Sequence, residues 1–195
     1  LAVRRSAEKA PEADRGPSVG SRRELLSGLC AFSALAAVSP VRLLADVRQE
    51  RVLSLVSTHT SERLSVPYFG DGGYLTEGLG RLNRLLRDHR TGDEHPIDPR
   101  LFDLLHDLRL ATGTRTPFQV ISGYRSAATN AHLRQGSGGV ASRSLHMDGR
   151  AIDVRLGDVS SAALRDAALE LRRGGVGYYP SSDFVHVDTG RVRAW

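Results

Sequence analysis

The sequence holds a single cysteine, Cys30, and it lies in an uncharged, mostly apolar run near the N-terminus. From residue 46 onward the chain has no thiol. It can form no disulfide there and offers neither a thiolate nucleophile nor a thiolate metal ligand. The apolar run itself, Leu25 to Val38, spans fourteen residues, short of the roughly 20 that a membrane-crossing helix needs. From residue 46 onward a Gly-x-Ser-x-Gly nucleophile elbow, a phosphate-cradling glycine motif and an internal repeat are also missing. Thiol catalysis, elbow-type serine catalysis, P-loop nucleotide binding and solenoid architecture therefore find no support.

A strong charge imbalance is missing too. The formal charge of +5 comes from 27 Lys and Arg against 22 Asp and Glu, and seven of the former and four of the latter fall in the first 45 residues. The remainder keeps 20 and 18, a net of +2. Such a body gives no electrostatic reason to expect nucleic acid as a partner. Ser21-Arg22-Arg23-Glu24 leads straight into the apolar run, which ends near Pro40. The run has the length of a signal-peptide core, and the arginine pair resembles a twin-arginine export signal. Lipid attachment at Cys30 is disfavoured because the large Leu29 precedes it. Residues 1–45 are thus expected to be a leader, cleaved near Ala45. Residues 46–195 are expected to form one exported domain with no stable membrane insertion after processing.

Within that domain, Arg51 to His59 and Glu62 to Phe69 alternate apolar and polar residues and predict a β-hairpin, edge-like at Pro67. Leu79, Leu82, Leu85 and Leu86 predict a helix over Leu75 to Arg90, followed by a loop from Thr91 to Pro96. Asp98 and Pro99 cap and open a second helix, with Leu101, Leu104, Leu105 and Leu108 on its apolar face. Pro117 to Ile121 reads as a strand that delivers Ser122-Gly123-Tyr124-Arg125 into a turn, and Ser126 caps a helix reaching Arg134. The glycine-rich stretch from Gln135 to Ser142 has no periodicity and is expected to be a mobile lid. Ser160 and Ser161 start another helix through Arg173, packed on the back of the sheet and joining the two strands described next. Gly174-Gly175-Val176-Gly177 reads as a turn into a strand that lets backbone approach the site. Of the remaining histidines, His59 and His89 are expected in solvent, His106 as a packing residue of its helix and His132 at a pocket rim.

Two stretches concentrate ionisable side chains among short apolar runs that read as adjacent strands: Ser144 to Val154 and Asp183 to Asp188. Ile152, Val154 and Leu156 alternate with Ala151, Asp153 and Arg155, so Asp153 stands on the face opposite the apolar one. Phe184, His186 and Asp188 likewise share one face and Val185 and Val187 the other. Pairing the two strands brings His186 beside Asp153, and a turn at Gly149 returns His146 toward them. A hydrolytic zinc ion takes three such ligands and keeps a fourth position for water, which makes His146, Asp153 and His186 the expected triad. Arg125, at a strand end, can grip a carboxylate in two parallel hydrogen bonds or stabilise a developing oxyanion. The expected architecture is α+β: a small, mostly antiparallel sheet with helices on one face and a zinc cleft on the other.

The order Ser144, His146, Gly149, Ala151, Asp153, followed by Asp183-x-x-His186, resembles the LAS metallopeptidases. Ser122-Gly123-Tyr124-Arg125-Ser126, the Gly174 to Pro180 segment and Phe184 to Gly190 sharpen this to the murein endopeptidase K group of M15-type peptidases. The resemblance runs from about Arg51 to Trp195. It implies zinc as cofactor, a peptidoglycan peptide as substrate, hydrolysis of its cross-links, and a periplasmic site of action. It also matches Arg125 to the family's substrate-binding arginine and Asp183 to its catalytic acid. Strand parity points the other way, because Asp188 and not Asp183 shares the face of His186. Asp183 is the expected base if it precedes the regular strand, leaving Asp188 to orient a ligand or bind substrate. A D-alanyl carboxypeptidase could use the same triad. A non-catalytic murein-binding module is the other alternative, and it is disfavoured because closed structural zinc sites have four protein ligands.

Overall fold

The structure is a computed structural model that describes residues 50–136 and 141–195. The expected leader lies outside the described residues, and so does the centre of the expected lid, 137–140. Strands β1 (Arg51–Ser57) and β2 (Arg63–Gly70) form the anticipated antiparallel hairpin, with Leu53 opposite Val66 and Leu55 opposite Leu64. A two-residue strand, β3 (Gly73–Tyr74), covers only Phe69 and Gly70, which leaves Pro67 in the uncovered part of β2.

Helix α1 (Thr76–Leu85) is shorter than its leucine spacing predicts. The carbonyl of Leu86 accepts the N–H of Tyr124 at 2.8 Å, and Asp88 turns the chain by accepting from the backbone of Arg90 and Ser126, each at 2.9 Å. Helix α2 (Pro99–Thr112) starts where expected, with the Asp98 carboxylate accepting from the N–H of Arg100, and ends at Gly113 in the left-handed region. After β4 (Phe118–Ser122) comes α3 (Ala127–Gly136), capped by Ser126 and continuing through Gln135 and Gly136, which were expected in the lid. Then follow β5 (Ala151–Arg155), α4 (Ser161–Leu171), capped by Ser160, and β6 (Gly175–Tyr179). Strands β7 (Phe184–Asp188) and β8 (Arg193–Ala194) complete the chain.

Among the described residues these strands make one sheet in the order β3-β2-β1-β4-β5-β7-β6-β8, parallel only at β1–β4 and β6–β8. Helix α4 joins β5 to β6, not to β7, and β7 then inserts between those two strands. One face of the sheet carries Leu53, Leu55, Phe118, Val120, Ile152, Val154, Val185 and Val187, all buried against Leu101, Phe102, Leu105 and Leu164 of the helices. Burying each such side chain contributes about 1.5–3 kcal/mol. A one-residue slip of β5 would push Asp153 into that apolar layer, so the core enforces the register on which the opposite face depends. No helix among the described residues is long and apolar enough to cross a membrane.

Candidate metal centre

Strands β5 and β7 pair with Asp153 directly opposite His186, as their alternation predicts. His146 arrives differently. It sits on a 3₁₀ turn, Leu145–Asp148, and not on a strand, and the turn closes at Gly149 with φ 64°. A Cβ at Gly149 would lie 2.3 Å from the carbonyl oxygen of Pro96, so both the dihedral and the space call for glycine. His146, Asp153 and His186 are all buried and converge on one point. His146 Nε2 lies 3.2 Å from His186 Nδ1 and 3.2 Å from Asp153 Oδ1, and the last two are 2.8 Å apart.

The outer nitrogens of the two imidazoles explain why these inner atoms converge. His146 Nδ1 donates to the Gly123 carbonyl at 2.7 Å, and His186 Nε2 donates to Asp188 Oδ2 at 3.2 Å. Each ring is thereby held with its remaining nitrogen directed inward, the arrangement by which neighbouring acceptors orient metal-binding histidines. Ligands about 2.0–2.1 Å from a tetrahedral zinc ion stand about 3.3 Å from one another, close to the separations here. The donor set of two imidazole nitrogens and one carboxylate oxygen fits zinc, and it leaves a fourth position free.

Electrostatics reinforce the cluster. Burial raises the Asp153 pKa, but the two histidines outweigh it and hold the carboxyl well below its usual range. Burial lowers the His186 pKa, and hydrogen bonds to Asp153 and Asp188 overcome that and raise it to about 8. A metal ion would replace that proton, since a histidine must be neutral to ligate. Arg125, placed by the turn after β4, has Nη2 3.6 Å from Asp153 Oδ2 and 3.3 Å from Ser122 Oγ. Its Nε is buried without a protein partner.

A model of the family described as peptidoglycan L,D-endopeptidase MepK matches residues 45–195. The chain belongs to that family. It is 44% identical over 176 residues to the peptidoglycan L,D-endopeptidase MepK of Escherichia coli (strain K12), across 90% of this chain and 97% of the relative. The Shigella flexneri protein of the same name matches over the same shares at the same identity. The probable peptidoglycan L,D-endopeptidase MepK of Haemophilus influenzae is 44% identical over 146 residues, 74% of this chain and 78% of the relative.

In this member of the family the cluster opens into a cleft of about 660 Å³. Among the described residues Asp153 is the one side-chain carboxylate of its lining, against Arg125, Arg143 and Arg193. The two acids considered for proton transfer lie in opposite surroundings. Asp188 is fully buried behind His186. Asp183 precedes β7 in the left-handed region at φ 50°, with its side chain 64% exposed and 3.8 Å from Arg155. It does not line the cleft itself, although its neighbours Ser182 and Phe184 do.

Of the other histidines, His59 is exposed and His89 half-buried, and their rings stack 3.8 Å apart, far from being two independent solvated groups. His106 is buried in α2, and His132 is exposed on α3 and outside the cleft lining. Sequence reasoning missed Arg143, Tyr179, Arg193 and Trp195, all of which line the cleft. The available signal was the run of glycines in β6. A Cβ at Gly175 would meet Arg193 at 2.3 Å, and one at Gly177 would meet the Trp195 ring at 2.7 Å.

Proposed function

We propose that the protein is a zinc-dependent murein endopeptidase of the periplasm, one that hydrolyses L,D peptide cross-links of peptidoglycan. The observation that carries this reading is the buried His146–Asp153–His186 cluster, opening on an arginine-lined cleft in a chain of this family. These three residues would hold the ion. Bound zinc supplies a Lewis acid for the scissile carbonyl and lowers the pKa of water from 15.7 toward about 7.

The chain's own groups then divide the work. Arg125 offers guanidinium N–H donors at the cleft, suited to the carbonyl oxygen as it gains charge or to a substrate carboxylate. Asp183 takes the proton of the attacking water and delivers it to the leaving amine nitrogen. What favours Asp183 over Asp188 is access. Both oxygens of the buried Asp188 are already engaged by donors, whereas Asp183 has an exposed carboxylate beside two residues of the cleft. Asp188 instead orients His186. A cleft with three protein ligands also suits catalysis better than a closed structural site, which argues against the non-catalytic alternative.

The deciding experiment is digestion of defined cross-linked muropeptide dimers, with products identified by mass spectrometry. Conversion of dimers to monomers, abolished by a chelator and restored by zinc, is expected. Intact dimers with zinc-loaded enzyme would refute the endopeptidase reading, and release of only terminal D-alanine would mark a carboxypeptidase.

Export completes the reading, with residues 1–45 as a twin-arginine leader and 46–195 as the mature peptidase. Arg22→Lys with Arg23→Lys is expected to retain the protein in the cytoplasm, because the receptor reads the guanidinium pair and not charge alone. Unchanged periplasmic recovery on fractionation would assign it to the general secretory route.

A further inference from the structure

Asp188 is fully buried, yet donors from three segments surround its two oxygens. Oδ1 accepts from the backbone of Gly175 at 2.9 Å and of Gly190 at 2.8 Å, and from Arg193 Nη1 at 3.2 Å. Oδ2 accepts from Arg193 Nη2 at 2.7 Å and from His186 Nε2 at 3.2 Å. Arg193 alone among these donors bridges both oxygens. It therefore fixes the plane of the carboxylate, whereas the two backbone groups hold Oδ1 alone and leave Oδ2 to Arg193 and His186.

The guanidinium is itself held in place. Strand β8 pairs Arg193 with Gly175, and the guanidinium carbon sits 4.8 Å from the centre of the Trp195 ring. That ring lies 5.2 Å from His186, and its Nε1 donates to the hydroxyl of Tyr179 at 2.9 Å. A Cβ on Gly175 would stand 2.5 Å from Asp188 Oδ2, and one on Gly177 would strike the indole. Strand β6 is bare of side chains where these groups approach.

We propose that Arg193, backed by Trp195, is a positioning residue for the metal centre. It fixes Asp188, and Asp188 fixes the His186 ring with Nδ1 turned toward His146 and Asp153. The inference rests on the zinc reading above. It differs from a purely structural role, in which any cation would do to neutralise a buried carboxylate. Lysine can neutralise but cannot bridge two oxygens.

The test titrates zinc into metal-free wild type, Arg193→Gln and Arg193→Lys, full chain in each case, alongside thermal melts and the visible spectrum of the cobalt(II)-loaded proteins. The glutamine variant is expected to bind zinc about 10–100-fold more weakly, the usual scale for removing an outer-shell partner. Its cobalt spectrum shifts, and kcat falls while KM stays within about twofold. The lysine variant is expected to recover the metal-free melting temperature but not the zinc affinity or the cobalt spectrum. Zinc affinity of Arg193→Gln within about twofold of wild type overturns the inference, and so does full recovery of zinc affinity by lysine. Should the glutamine variant not fold, the lysine variant decides by the same affinity criterion. A wild type that takes up no zinc removes the metal reading and this inference together. Stoichiometric wild-type binding with unaltered variants removes this inference alone.

Discussion

Asp183 and Asp188 bracket β7 and differ in everything but side-chain type. Asp183 sits on a left-handed turn with its carboxylate largely in water and, among the described residues, no hydrogen-bond donor closer than the loose contact to Arg155. Asp188 is enclosed, and its pKa is held below the usual range because hydrogen bonds from His186, Arg193 and two backbone N–H groups outweigh the burial that would raise it. Asp183→Asn is therefore expected to keep zinc while kcat falls roughly 10²- to 10⁴-fold, the scale of lost acid–base catalysis. Asp188→Asn should instead weaken zinc binding about 10–100-fold, because it disturbs the partner of a ligand. Metal content and kcat measured on both variants separate these outcomes. A full-rate Asp183→Asn alongside a zinc-loaded but inactive Asp188→Asn would exchange the two roles. Alternation in the sequence assigned Asp188 to the face of His186 correctly. It could not show depth, because period two distinguishes the faces of a strand but not whether a side chain at its end opens on the cleft or is covered, as Asp188 is by the Arg193 side chain.

At the scale of single elements, α1 contains its own control experiment. Gly78 faces β2, and a Cβ there would lie 2.0 Å from the backbone oxygen of Pro67, which cannot retreat without moving the strand. Gly80, two residues on, would meet nothing within 4 Å. Gly78→Ala is expected to destabilise the fold by about 1–3 kcal/mol, the usual range for forcing atoms into a packed site. Gly80→Ala should stabilise it by about 0.5–1 kcal/mol, because alanine loses less backbone entropy in a helix. Denaturant melts of the two variants are expected to move in opposite directions, and a Gly78→Ala that does not destabilise would mean that the Pro67 backbone can yield at the helix–strand contact. Long periodic elements such as α2, and the β1–β2 hairpin, were legible from spacing and caps. Other local features were not, among them the early end of α1, the 3₁₀ turn under His146 and the two-residue strand β8. Each is set by a partner distant in sequence, as when Tyr124 takes the Leu86 carbonyl, and a segment of two to four residues is too short to display a period.

For the whole molecule, the decisive fact is that the triad draws on three separate elements. His146 and His186 stand 40 residues apart in sequence yet 3.2 Å apart in space, and Asp153 reaches them from a neighbouring strand. An ion held by all three ties the 3₁₀ turn to β5 and β7, and an unfolded chain offers no such arrangement, so zinc binds the folded state in preference. Binding of that kind stabilises by mass action, by about 4.1 kcal/mol when free zinc is 1,000 times the dissociation constant. In a domain of this size each kcal/mol moves the midpoint by about 2–4 °C, so saturating zinc is expected to raise Tm by about 8–16 °C over chelator-treated protein. On the proposed assignment His146→Ala, Asp153→Ala and His186→Ala would each leave two ligands, too few to hold a catalytic ion. Their melting temperatures should be nearly the same with zinc as with chelator, and their activity lost. The comparison is made within each protein, so any stability a substitution costs on its own cancels out. A single-ligand variant that kept the full zinc-dependent rise would remove that residue from the triad. A wild type whose melting temperature ignored zinc would mean that the cluster does not bind the ion in the folded protein.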